Sequence, residues 1–185
     1  MSTVLKRILF GVALAVVATG CSYLTPPDAN RLVLSLSPTN ELGYEIDSTG
    51  GITVSSRTMQ LSTRPGMPLT TVTGYRIDYF NTSGSRIGMS PPNPQSLNVV
   101  VPAGFVCESP EPTIGCNALS EGARPAPGIP ATAAGVSSQL LSADIATMHV
   151  LAGSPAGWYA EMTLYYDNAW GQFEEVYALH IVAPN

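Results

Sequence analysis

The sequence predicts an all-β chain folded as an antiparallel β-sandwich of about seven to nine strands. Three observations carry this expectation. Apolar residues recur at every second position through most of the chain after residue 30; Gly, Pro, Asn and Ser clusters punctuate those runs; and almost no stretch holds apolar residues at helical spacing. A small up-and-down β-barrel satisfies the same pattern and is the alternative, although the proline-rich interruption after residue 101 breaks a continuous meander.

The elements follow in order. In RLVLSLSP, Leu32, Leu34 and Leu36 point one way while Arg31, Ser35 and Ser37 point the other, as in a half-buried strand. In LGYEIDSTGGITVSS, Tyr44 and Ile46 precede a Ser-Thr-Gly-Gly break, and Ile52 and Val54 follow it. That stretch reads as a hairpin or as one strand bent at a bulge. Tyr75, Ile77 and Tyr79 alternate with Arg76 and Asp78, and Asn81 to Gly84 supply a turn. Leu97, Val99 and Val101 share one face of the next strand, which Pro102 closes.

Residues 102–138 break the rhythm and read as a long Pro/Ala/Gly-rich insertion, too long for an ordinary connection in a compact domain. A short helix is expected around residues 138–146, then a brief strand in ATMHVLAG. The last part is the strongest: Trp158, Ala160, Met162, Leu164 and Tyr166 share a face. A turn is expected over Asp167 to Gln172, and Phe173, Glu175, Tyr177, Leu179 and Ile181 line the returning strand. Glu175 is the exception on that inner face, expected near the turn and solvated.

The N-terminus carries a different signal. Lys6 and Arg7 precede residues 8–20, which hold no charge. Thirteen residues span roughly 20 Å as a helix, short of a hydrocarbon core of about 30 Å, so the run reads as an export signal and not a membrane span. Ala18, Thr19, Gly20 and Cys21 resemble the lipobox of bacterial lipoproteins, with Ala18 standing where that family usually carries leucine. The resemblance implies cleavage before Cys21 and acylation of Cys21, with palmitate among the acyl chains, and so a lipid-anchored envelope protein. Ser22 after the cysteine implies the outer membrane in a Gram-negative host. The expected organisation is a cleaved signal at 1–20, an acylated N-terminus and tether at 21–30, and one domain at 31–185.

Two cysteines remain in the expected mature chain, Cys107 and Cys116. In an exported protein such a pair reads as a disulfide, closing a loop of about ten residues and contributing roughly 2.5 to 3 kcal/mol in the chain-entropy model. The YRIDYFNTSGSRI segment and the terminal hairpin resemble the central and final strands of immunoglobulin-like or fibronectin type III-like modules. The disulfide that joins the two sheets of antibody domains has no counterpart here, since Cys107 and Cys116 lie too close in sequence to bridge distant strands.

Charge excludes several functions. The expected mature chain holds six arginines against thirteen acidic residues, a formal charge of −7. Binding to nucleic acid or to anionic lipid through a basic patch has no support. His149 and His180 are the two histidines, both in expected strands, and two ligands make a poor metal site. No G-x-S-x-G elbow and no phosphate-binding glycine loop occurs. Asp167, Asn168, Glu174 and Glu175 gather acidic and amide oxygens near one turn, without the spacing of a calcium loop. Catalytic residues, metals, cofactors and a small-molecule substrate are therefore not expected. Tyr159, Tyr165 and Trp170 are the candidate interaction surface, being aromatic residues that alternation and turn position leave outside the core. The expected function is a membrane-anchored, non-catalytic structural or protein-interaction module with a protein partner in the envelope. A binding protein for a small apolar or glycan ligand is the alternative, and an envelope hydrolase or metalloenzyme is third.

Overall fold

Alternate burial makes Leu32–Ser37 the first strand, β1: Leu32 and Leu36 are buried, and Leu34 packs half-buried against the same core. Tyr44–Ile46 (β2) and Ile52–Val54 (β3) pair as an antiparallel hairpin around the Ser-Thr-Gly-Gly break. Arg57–Thr63 (β4), Thr70–Phe80 (β5), Arg86–Met89 (β6) and Gln95–Val101 (β7) follow. Phe105–Val106 (β8) and Arg124–Pro125 (β9) pair briefly, and Ala133–Ser138 forms β10. One helix, Ala143–Leu151 (α1), precedes the terminal hairpin of Tyr159–Asn168 (β11) and Gly171–His180 (β12). This computed structural model describes residues 32–89, 94–108, 116, 119–128 and 133–184.

The architecture is an all-β sandwich of antiparallel sheets. In one sheet β4 lies between β1 and β10; in the other the order is β12-β11-β5. The far edge of β5 is shared: β7 runs along Thr70–Tyr75 and β6 along Asp78–Phe80. Leu32, Met59 and Leu61 from the first sheet and Ile77, Met162 and Leu164 from the second are fully buried in one continuous core. Trp158, Ala160, Met162, Leu164 and Tyr166 are all buried, as their alternation predicts.

Tyrosine hydroxyls stitch the two layers. Tyr75 of β5 meets Ser138 Oγ of β10 at 3.0 Å, and Tyr79 donates to the Leu140 carbonyl at 2.8 Å. Tyr177 of β12 donates to the Leu32 carbonyl of β1 at 3.0 Å. A buried hydroxyl needs a partner, and each of these takes one from across the core. Burial pushes the Tyr79 hydroxyl up to about 12. Burial first, and then the carboxylate of Glu175, push Tyr177 up as well.

Two turns share one construction. Asp47 Oδ1 accepts from the Thr49 amide, the Thr49 hydroxyl and the Gly51 amide. Asn81 Oδ1 accepts from the Ser83 amide, the Ser83 hydroxyl and the Ser85 amide. The fourth residue of each, Gly50 and Gly84, has φ of 85° and 73°, a region glycine enters without strain.

Three local differences separate the structure from the sequence expectation. ATMHVL is helical and not a strand, because Ser142 caps α1 by accepting from the Ile145 amide at 3.2 Å and Asp144 sits in the first turn. The terminal hairpin closes over Ala169 and Trp170 alone, with β11 running to Asn168 and β12 starting at Gly171. Residues 133–138 pair with β4 as a sheet strand, although their sequence, AAGVSS, shows no apolar alternation.

Candidate functional site

Cys21, the expected acylation point, lies outside the described residues, as do the signal and tether expected at 1–30. No described helix is long and apolar enough to cross a membrane. Cys107 and Cys116 are brought together at a Cα–Cα distance of 5.7 Å, a separation a disulfide spans, just beyond the short β8–β9 pairing.

The histidines part company. His180 is exposed on the outer face of β12, opposite Tyr159, the outward strand position expected for it. His149 lies in α1, 1% exposed, and not on an outward strand position. Its Nε2 is 3.0 Å from the Pro155 carbonyl, which can only accept, so in the neutral ring Nε2 carries the proton. Nδ1 then accepts from the Tyr44 hydroxyl at 2.9 Å, and the Tyr44 oxygen in turn accepts from Ser154 Oγ at 3.1 Å. Trp158 packs against the ring at 4.9 Å between centroids, and Tyr44 meets it edge-on at 5.8 Å. Both ring nitrogens are thus committed, and the ring joins the β2–β3 hairpin, α1 and the entry to β11. Tyr44 and Ser154, its partners, carry no local sequence signal of this role: Tyr44 is 105 residues away.

The aromatic candidates do not form one patch. Tyr159 stacks on Phe80 of the neighbouring strand, 5.1 Å between centroids and 11° between planes. Tyr165 lies on the same face six residues further, roughly 20 Å along the strand, paired with Gly74 and Glu174. Trp170 sits in the turn, 46% exposed. Between the two tyrosines, Asp78 is buried beneath Arg76, at 3.0 Å, and Arg86, so this outer face is crossed by an ion-pair cluster.

Two of the side chains grouped near the terminal turn accept from backbone amides. Asn168 Oδ1 accepts from the Trp170 amide at 2.9 Å. Glu175 is half-buried and not solvated: its Oε2 accepts from the Leu32 amide at 3.0 Å. The reason is geometric. Glu175 faces inward opposite Leu164, and the open edge of β1 supplies a donor across the gap. Among the described residues no three His, Cys, Asp or Glu side chains converge as a metal site.

That gap is the feature the sequence did not announce. β1 and β12 are both terminal strands of their sheets, and between them runs an open groove of about 320 Å³. Leu34, Leu36 and Asn40 form one wall and Val176 to Leu179 the other. At one end Glu175 and Tyr177 take the amide and carbonyl of Leu32. At the other, the Leu42 amide donates to the His180 carbonyl at 2.8 Å and the Val182 amide to the Leu42 carbonyl at 3.0 Å. Leu42 thereby makes a one-residue parallel bridge to Ile181.

Backbone direction alternates along a strand, so Leu34 aims its amide and carbonyl into the groove as Leu32 does. Val176 and Ala178 aim theirs into it as His180 does. The Leu36 amide is taken by Asn40 Oδ1 at 2.7 Å. No described residue hydrogen-bonds the groove-facing backbone of Leu34, Val176 or Ala178.

No family model matches this chain, and no curated protein matches it either.

Proposed function

We propose that this protein is an envelope lipoprotein, anchored through acyl chains on Cys21, whose immunoglobulin-like sandwich is a non-catalytic protein-interaction module. The anchor reading is supported by the charged start, the uncharged run at 8–20 and the Ala18-Thr19-Gly20-Cys21 sequence. Two or more acyl chains hold a domain stably where one is marginal. Ser22 favours the outer membrane in a Gram-negative host, and a clipped loop between Cys107 and Cys116 suits an oxidising compartment.

The observation that carries the module reading is the groove between β1 and β12, where edge backbone over Leu34, Val176 and Ala178 is left open among the described residues. Open edges are pairing templates that proteins ordinarily cover or blunt. The buried His149 ring is instead taken up by Tyr44 and Pro155.

Two measurements test the proposal. Cells labelled with a palmitate analogue should lose label from this chain on Cys21→Ala; unchanged labelling overturns the anchor. Mild-detergent isolation from the native envelope should bring down a stoichiometric protein partner. Recovery of the chain alone overturns the module.

A further inference from the structure

The groove-facing backbone of Leu34, Val176 and Ala178 is a matched set. Leu34 presents one amide and one carbonyl from the β1 side, and Val176 and Ala178 present two of each from the β12 side. Their spacing is that of a strand ladder, since groove-facing residues recur every second position. The chain itself begins to fill the slot: Leu42 already occupies the strand position beside Ile181. It then leaves, and Asn40 covers Leu36 with a side chain in place of a strand. At the far end Glu175 and Tyr177 do the same for Leu32. The middle has no such substitute among the described residues.

We propose that this slot takes an extended polypeptide strand from a protein partner, apolar at alternate positions and carrying Lys or Arg on its solvent face. Continuity with the Leu42–Ile181 bridge sets the strand's path, and backbone pairing on both sides would join the two sheets across their open edge. Inward side chains of such a strand meet Leu34, Leu36, Tyr177 and Leu179, which selects apolar residues there. Outward side chains pass beside Val176 and Ala178, exposed on β12 with Glu174 the next outward residue past the Glu175 end, in a chain with six arginines and thirteen acids after residue 20. That balance selects cations. This names the form of the partner and rests on the module reading.

The test uses the purified full chain and a pool of capped ten-residue peptides. Val, Ile or Leu alternate in them with Lys, Arg or Thr, and a second pool carries N-methylated alternate amides. Bound peptides should slow hydrogen exchange at the Leu34, Val176 and Ala178 amides, and binding should weaken as salt is raised. Val176→Pro removes an outward amide and no ladder bond of β12, a change edge strands tolerate, and should weaken binding about tenfold; Val176→Ala should change it less than about twofold. The N-methylated pool tests the same bonds without altering the protein.

Three results overturn the proposal. They are no retention of the first pool above the second, no protection of the three amides, or protection that rises with protein concentration alone, which would assign the slot to a second copy. Because purified chain and synthetic peptides are used, failure here leaves the acylation and envelope-isolation results standing, and their failure leaves this one.

Discussion

The Tyr44 hydroxyl and His149 Nδ1 lie 2.9 Å apart in a buried contact that joins the β2–β3 hairpin to α1. In the neutral ring, the direction of every proton in this chain of contacts follows from one group that can only accept, the Pro155 carbonyl on Nε2. His149→Ala removes a ring packed on Trp158 and leaves the Tyr44 hydroxyl short of its acceptor. The expected loss is about 2 to 4 kcal/mol, read from urea melts. Tyr44→Phe should cost about 1 to 3 kcal/mol. The double variant should fall short of the sum, since the two share one hydrogen bond. Strict additivity would show that the contact contributes nothing.

Glu175→Ala exposes a second dependency. The amide of Leu32, a fully buried residue, then loses its acceptor, at an expected cost of about 1 to 3 kcal/mol. Glu175→Gln keeps an acceptor oxygen and should recover most of the loss. Amide exchange at Leu32 separates the two, being faster in the alanine variant and close to wild type in the glutamine variant.

How much of this was legible in the sequence follows from what alternation encodes. Period two says which face a side chain takes, so Tyr75, Ile77 and Tyr79, and Trp158, Ala160, Met162, Leu164 and Tyr166, read correctly as core. It says nothing about which strand lies beside which edge. Leu32 and Glu175 are 143 residues apart, and the groove exists because their strands end two different sheets. Glu175 therefore looked like an exception near a turn. Short elements were also ambiguous: MHV alternates, yet Ser142 and Asp144 start a helix that buries Ile145, Ala146 and His149. Residues 133–138 gave no signal because β4 supplies the pairing that their own side chains do not announce.

Alkaline titration should weaken the sandwich. Burial holds the Tyr79 hydroxyl up to about 12, above the value of about 10 for an unfolded tyrosine, and Tyr177 is raised in the same direction. A raised group favours the folded state fully below the unfolded value, and that contribution is lost as pH climbs through the folded one. Stability should therefore be flat in this respect up to pH ~10 and fall between ~10 and ~12, by on the order of 2 kcal/mol for Tyr79. Tyr79→Phe gives up the bond to Leu140, about 1 kcal/mol at neutral pH, and should show a shallower alkaline slope in urea midpoints. An unchanged slope would remove Tyr79 from the account.

Gly104 fixes the base of the insertion. A Cβ there would fall 2.0 Å from the Arg64 carbonyl oxygen and 3.1 Å from the Gly66 nitrogen, both backbone. The Gly104 carbonyl also accepts from the Gly66 amide at 2.7 Å and the Ala126 amide at 2.8 Å. Gly104→Ala should therefore separate these segments and cost about 1 to 3 kcal/mol or more, with the Gly66 and Ala126 amides exchanging faster. Gly128→Ala, where a Cβ meets nothing within 4 Å, is the control and should be close to neutral.

The paired turns make the sharpest comparison, because Asp47 and Asn81 place the same oxygen on the same three donors. The interaction needs an acceptor oxygen and a side chain of that length; it does not need a charge. Asp47→Asn should leave the melting temperature at pH 7 nearly unchanged, whereas Asn81→Ala strips three acceptor contacts and should cost about 1 kcal/mol. Charge appears in the pH response instead. The Thr49 hydroxyl first, and then the Gly51 and Thr49 amides, hold the Asp47 carboxyl below its ordinary value of 3.8. A depressed carboxyl contributes stability above its unfolded value, and that contribution is lost as pH falls through the folded one. The wild-type chain should therefore lose a contribution below pH ~4 that Asp47→Asn does not lose, and acid melts of the two, close at pH 7, should separate there with the wild type the less stable. Parallel curves over that range would mean the three hydrogen bonds do not distinguish carboxylate from acid.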